Sequence, residues 1–503
     1  MKRLLLSLAL LASAGCIELE DAEREFCLRE GNEGICPTSP MAYGLQLMGT
    51  PEQCGELSVA VTTSELGVPA LRTSLQWATC PAEDSPPTAC GALATGTGVV
   101  IPREVVGVLR VDLVAEYEGH TRTFRAFSAP VTAARNGAAL DTEWVTGFET
   151  GTLQASQFIN QYQAQVVPVT GGHALQLVST GTGAFGVRSY VELNPDRLVV
   201  RASMTLSSLS GSANLLSVST SNAVIAAFGV DGDGNFALRL PGSAPTGGVP
   251  AITGRTYQLD LIFSFAGGHR IKGWVDGVAL PGAEDLAGPA DQVQVLTLGS
   301  GLASNFQVQF DDVVTSLTSP DPLGAGYVIA LRPDSAGPHA GPELFGTRTD
   351  PVTVLPLSGS DTTSWNLLDE VPLADADGAI LQQVNNPAAY VTHGFQDFFV
   401  APPDAVSLTY AVGTTDVAGN TWSKAQAVLE GVIEEIYYSG QLIPQGWRGF
   451  SGTIPPPGVA SREWNLCHLN KLQSRWGFSE DVSGSQPVLH GMVVEAFIAG
   501  PRP

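Results

Sequence analysis

The sequence predicts an all-β protein, built as tandem β-sandwich domains behind a cleaved signal peptide, and three observations carry that expectation. The 503 residues include 56 Gly and 34 Pro, whereas charged residues make up only 15%. Val, Thr, Ser and Leu fill the short intervals between these turn formers, a composition that favours many short strands over helices. Several segments also alternate apolar and polar residues with a period of two, as a strand with one wet face does.

The first element is an export signal. Lys2 and Arg3 precede an apolar run, Leu4 to Ala12, that is too short to span a bilayer, and small residues follow at once. That pattern is a secretory signal peptide over residues 1–15. Two cuts are open. "ASA" at Ala12 to Ala14 suits ordinary signal peptidase, while "SAGC" at Ser13 to Cys16 resembles the lipobox of bacterial lipoproteins, with Ser13 where that family usually has Leu. Cysteine arithmetic favours the second. Cutting after Ala14 leaves an odd count in an exported chain, whereas acylating Cys16 leaves Cys27, Cys36, Cys54, Cys80, Cys90 and Cys467, a set that can pair completely. The lipobox resemblance implies that the protein is held on a membrane through acyl chains on Cys16, each buried methylene contributing about 0.8 kcal/mol. Ile17 after the cysteine, by resemblance to enteric lipoproteins, implies the outer membrane.

Residues 16–40 read as an acidic tether, "IELEDAERE", followed by Cys27 and Cys36, whose short polar interval predicts a local disulfide. Residues 41–135 read as an immunoglobulin-like sandwich. In "GVLRVDLVAEYEGHTRTFRAF", Val111, Leu113, Ala115 and Tyr117 alternate with Asp112 and Glu116 before an "EGH" turn. Cys80 and Cys90 bracket the Pro-rich "PAEDSPPTA" and are candidates to clip it. Cys54 and Cys467 remain, and six cysteines allow fifteen connectivities. "APVTAARNGAALDTEWV" reads as a linker.

Residues 143–319 form a longer all-β block. Tyr257, Leu259, Leu261 and Phe263 alternate with Gln258, Asp260 and Ser264, and Asp276-Gly277 is a hairpin turn signal. Together, "GFETG" at Gly147 to Gly151, "VDGDGNFALRL", "TYQLDLIFSF", "HRIKGWVDGVAL" and "FQVQFDDVV" resemble a concanavalin A-like jelly roll of the laminin-G or lectin type. That resemblance implies first and last strands that lie side by side. Residues 323–503 make a third block. Its "DEVP" turn at Asp369 to Pro372, the segment from Trp464 to Gly477 and an apolar last strand resemble a β-sandwich domain of phage-type structural proteins.

The charge balance excludes one class of partner. A net charge of −24, which becomes −26 once Lys2 and Arg3 are removed, argues against nucleic acid and against an electrostatic grip on anionic lipid. Motifs for chemistry are missing. The seven His stand singly, the G-x-S-x-G elbow does not occur, and the middle block lacks the E-x-D-x-E run of glucanases. Glu149, Asp311 and Asp312 are its most visible acids, and strand ends and turns account for them better than catalysis does. No catalytic residue is assigned and no cofactor is required. Asp231, Asp233 and Asn235 in "DGDGN" offer oxygens for calcium, although an EF-hand would need Gly where Phe236 stands and Glu where Gly242 stands, so a Gly-rich turn is the better reading. Trp274 with Asp276 is a candidate platform for a sugar ring, weighed against a role in packing. The expectation is a lipid-anchored envelope protein, not an enzyme, that recognises a glycan or surface polymer with its middle domain. The alternative is a structural or assembly role through protein contacts of the terminal domain.

Overall fold

The alternation at Val111, Leu113, Ala115 and Tyr117 puts all four side chains inside the protein. In the computed structural model, Val108–Tyr117 pairs antiparallel with His120–Pro130 across the expected turn, Tyr117 opposite His120. The described residues run from 26 to 502, excluding 30–31, 33–34, 37–38, 139, 143, 154–159, 182–184, 192–194, 221–222, 286–292, 301–304, 338–343, 350–351, 357–367, 369–377, 383–389, 415–422, 430–431, 439–445, 456–462 and 479–486. The signal peptide, Cys16 and the Asp369 to Pro372 turn therefore lie outside the described residues. The chain divides into two compact units, Met1–Arg135 and Asn136–Pro503.

The first unit is a sandwich. One sheet runs Gly91–Thr95, Arg72–Cys80, Val108–Tyr117, His120–Pro130, and the other runs Tyr43–Met48, Glu56–Thr63, Gly98–Val100. Leu57, Val59 and Val99 from the second meet Trp77, Leu109 and Val111 from the first. The Trp77 indole is buried with its Nε1–H donated to the Gly96 carbonyl at 2.9 Å, so no polar atom is stranded. Disulfides join Cys27 to Cys36 and Cys80 to Cys90.

The second unit contains two sandwiches. In the middle one, a nine-stranded sheet runs Ala164–Val169, Gly172–Thr180, Asn305–Ser316, Arg197–Ser208, Arg255–Ser264, His269–Val275, Val278–Ala279. Val145–Thr146 adds beside Asn305–Ser316, and Ala283–Asp285 beside His269–Val275. The opposing seven-stranded sheet runs Thr246–Pro250, Asn235–Arg239, Val224–Val230, Ala213–Ser219, Val295–Ser300, Phe185–Tyr190, Asn160–Tyr162. Between them, Leu177, Met204, Tyr257, Phe263 and Phe310 meet Phe185, Leu216, Phe228, Phe236 and Leu298. The first strand lies against the last, Thr146 opposite Val313, so residues from both ends of this block share one place.

The terminal sandwich is built on Pro487–Ala499, the long apolar strand, which pairs with Gly326–Leu331, Ala405–Thr414 and Gly378–Gln382. A second sheet runs Pro333–Ala336, Tyr390–Phe395, Gln473–Phe478, Ser423–Leu429, Val432–Tyr438. Leu408, Tyr410 and Val494 pack with Val391, Trp464 and Trp476 in its core.

The stretch from Ala129 to Val145 contains the division between the two units, at Arg135 and Asn136. Ala129 and Pro130 finish a strand, and from Asn136 onward the backbone is tied to the terminal sandwich. Asn136 Nδ2 donates to Glu463 Oε2 at 2.7 Å, Gly137 N–H to the Trp464 carbonyl at 2.7 Å, and Ala138 N–H to the Asp404 carboxylate. Backbone hydrogen bonds hold this segment, and those leave little trace in side-chain hydropathy.

Candidate functional site

The strands of the nine-stranded sheet alternate. Phe306, Val308 and Phe310 face the core, which sends Gln307 and Gln309 to the outer face. The same alternation on neighbouring strands, combined with the register, produces a continuous row. Gln165 stands opposite Gln176, Gln176 opposite Gln309, Gln309 opposite Thr205, and Thr205 opposite Thr256. Five adjacent strands at about 4.8 Å spacing make a row about 19 Å long. Two neighbouring pairs within it are hydrogen-bonded: Gln309 donates from Nε2 to Gln176 Oε1 at 3.3 Å, as Gln307 on the same strand does at 3.1 Å, and the Thr205 and Thr256 hydroxyls are 2.7 Å apart. Every group in the row is neutral and can both donate and accept a hydrogen bond, as a sugar hydroxyl does.

Trp274 lies on this outer face. On His269–Val275 the residues Ile271 and Val275 belong to the core, while Trp274 is half-buried on the other side, opposite Asp260 and Ala279. The packing role that base rates favour is therefore not a role in the sandwich core. Asp276 sits in the hairpin turn, at φ 50° with Gly277 at φ 76°, the left-handed pair that a two-residue turn of this type requires. Its carboxylate accepts from Gln258 N–H at 2.9 Å and from the Arg255 guanidinium, so turn geometry and an ion pair both engage it.

Asp231, Asp233 and Asn235 occupy the turn between Val224–Val230 and Asn235–Arg239. Asp231 Oδ1 accepts from the N–H groups of Asp233 and Asn235, both at 2.9 Å, so its carboxylate caps the turn. Among the described residues, no group of three His, Cys, Asp or Glu side chains is placed to hold a metal ion.

The acids that stand out in the sequence do come together. Glu149 follows the first strand and Asp311 and Asp312 lie in the last, so the pairing of those strands brings them close. Glu149 lies against the Gly172 backbone, where a Cβ would stand 2.0 Å from Oε1, and it contacts His173 Nδ1 at 3.5 Å. Burial raises its pKa, against the lowering influence of His173. Asp311 is pushed up to about 8, chiefly by burial and then by the charge on Asp312. Asp312, at φ 50°, has its carboxylate claimed by Val328 N–H at 2.7 Å, Ser203 Oγ at 3.0 Å, Arg502 Nη2 at 3.3 Å and Arg201 Nη1 at 3.6 Å. Behind them Glu495, 1% exposed in the long terminal strand, accepts from Gly147 N–H at 3.0 Å and Glu149 N–H at 3.1 Å. Burial raises its pKa to about 7. Asp260 accepts from Gly324 N–H at 3.1 Å, and Arg201 donates to the Gly326 carbonyl. This cluster joins the two sandwiches, and its acids are engaged by backbone N–H groups, Ser203, His173 and arginines.

Sequence reasoning located the acids but missed the row. Gln165, Gln176, Gln309, Thr205 and Thr256 form no motif, because only the register of five strands aligns them.

No family model matches the sequence, and no curated protein does. Solved structures are similar to parts of it. The endo-β-1,4-glucuronan lyase of the fungus Trichoderma reesei is 15% identical, covering 36% of this chain and 94% of that one, with a TM-score of 0.25. A carbohydrate esterase from a Shiga toxin-encoding bacteriophage is 15% identical, covering 36% of this chain and all of that one, with a TM-score of 0.28. Trypanosoma rangeli sialidase bound to sialic acid is 12% identical, covering 56% of this chain and 52% of that one, with a TM-score of 0.29. The chain thus spans about half the length of the sialidase. These neighbours are carbohydrate-active proteins, but at such TM-scores the likeness carries no argument, and the reading of this chain rests on its own geometry.

Proposed function

We propose that this is a lipid-anchored protein of the cell envelope, tethered to the outer membrane through Cys16, whose middle sandwich binds a glycan or surface polymer without transforming it. The observation that supports this reading is the row from Gln165 to Thr256. It is an uncharged line of hydrogen-bond donors and acceptors across five adjacent strands, with Trp274 on the same face as an aromatic surface for a sugar ring. The disulfides Cys27–Cys36 and Cys80–Cys90 suit an oxidising compartment outside the cytoplasm. The commitment of Glu149, Asp312 and Glu495 to backbone and basic partners supports a binding role over a hydrolytic one.

The test is retention of the purified protein on a panel of insoluble and cell-derived polysaccharides. The expected result is retention on at least one polymer, lost in the double variant Gln176→Ala, Gln309→Ala, with no change in the polymer's chain length. No retention on any polymer, or shortening of a retained one, overturns the proposal. Recovery of a defined crosslinked envelope protein in place of a polymer would favour an assembly role instead.

A further inference from the structure

The row of amides and hydroxyls ends at a pocket. At the edge of the nine-stranded sheet a cavity of about 300 Å³ is lined by Gln163, Ala164, Gln165, Val178 and Thr180. Gln165 is at once the last member of the row and a wall of the pocket. The pocket also continues the outer face. Val178 lies two residues along from Gln176 on the same strand and opposite Gln307, and Thr180 two further on. Gln163 is turned at this edge by φ 49°, with its carbonyl accepting from Val178 N–H at 3.0 Å.

Size and chemistry together restrict the occupant. Pockets for whole small molecules span about 300 to 1,000 Å³, so this one is at the lower limit and suits a single unit of a larger ligand. Val178 supplies an apolar wall, and Gln163, Gln165 and Thr180 supply neutral partners around it, the combination that a pyranose ring with hydroxyls at its rim requires. Neither the pocket nor the row contains a Lys, Arg, Asp or Glu. Arg255, next to Thr256 at the far end, is committed to Asp276. The chain as a whole carries −24, a field that repels a polyanion.

Resting on the glycan-binding reading of the same face, we propose that the pocket walled by Gln165, Val178 and Thr180 is a subsite for one uncharged pyranose residue of a polysaccharide lying along the row. The ligand is therefore a neutral glycan rather than an acidic one.

The experiment is affinity electrophoresis of the full chain through gels containing a neutral polysaccharide (laminarin, glucomannan or dextran) or an acidic one (alginate or polygalacturonate). Three proteins are compared: the unaltered chain, the pocket variant Val178→Gln with Thr180→Ala, and the row variant Gln176→Ala with Gln309→Ala. Thermal unfolding is measured alongside, so that only variants with an unchanged midpoint are read, and Gln165→Ala alone substitutes for a pocket variant that does not fold. Retardation by a neutral polymer, weakened tenfold or more by the pocket change and unaffected by ionic strength, is expected. Two outcomes overturn the inference while leaving the glycan-binding reading intact: retardation by a neutral polymer that the row variant abolishes and the pocket variant leaves unchanged, or retardation by the acidic polymers alone. Retardation by none of the five overturns both.

Discussion

The interior of the middle sandwich and its seam with the terminal sandwich are assembled by different physics. The interior is dominated by apolar side chains, with Phe228, Phe236, Phe263, Phe306 and Phe310 all essentially inaccessible to water. Among the described residues the seam has a small apolar patch, Val145, Val314, Val328, Ala405 and Phe497. Around that patch it buries Glu495, Arg201, Asp260, Asp312 and Asp404, each hydrogen-bonded across the boundary or beside it. Hydrophobic burial has no direction and does not respond to pH, whereas buried carboxylates accept particular N–H groups and titrate. The interior holds this unit together, and the seam sets the position of one sandwich against the other.

The largest effect separating the two regions is a cavity. Phe310→Ala in the interior removes a buried ring and is expected to cost about 3 to 5 kcal/mol, equally at pH 5 and pH 8. Urea denaturation at both values measures this, and a cost that varied with pH would blur the contrast.

Next is the seam itself. Glu495→Ala strands the Gly147 and Glu149 N–H groups and is expected to cost about 2 to 4 kcal/mol. Glu495→Gln keeps an acceptor oxygen and reports on charge alone. The folded pKa of Glu495, about 7, lies above its ordinary 4.5, so the folded state holds the proton more tightly than the unfolded chain does. The stability it contributes is fully present below about 4.5 and is lost as pH rises through about 7. Asp311, raised to about 8 from an ordinary 3.8, extends the same loss to higher pH. The unaltered protein should therefore be more stable near pH 5 than at pH 8.5, and Glu495→Gln should flatten the slope. A slope of opposite sign would mean that both acids are ionised in the folded protein.

A smaller effect is expected in the first unit. Replacing Cys80 and Cys90 together by Ser opens a loop of sequence separation 10 and should cost about 2 to 3 kcal/mol. In this unit alternation and loop spacing were enough to read the structure: Val111 to Tyr117, the "EGH" turn and both local disulfides lie where the sequence puts them. The middle sandwich was legible in the same way wherever a strand announces itself locally, as Tyr257 to Phe263 and the Asp276-Gly277 turn do. What could not be read depends on partners distant in sequence. Glu495 stands in an apolar strand and gives no sign that its partners are 346 and 348 positions away. Glu149 and Asp311 were visible as acids, but their convergence required the first strand to pair with the last. The Gln and Thr row is illegible for the same reason, since each member is an ordinary outward residue on its own strand.

The smallest effect on stability is expected at that row, and it is the most informative about function. Gln176 and Gln309 are half-buried on the outer face, bonded to one another and not to the core, so replacing both with Ala should change the unfolding free energy by no more than about 0.5 kcal/mol. If the double variant keeps the melting midpoint and loses polysaccharide retention, stability and binding are separated on one face of one sheet. If it unfolds instead, the amide ladder is part of what holds Gly172–Thr180 against Asn305–Ser316, and recognition must be sought on the other side of that face, around Trp274.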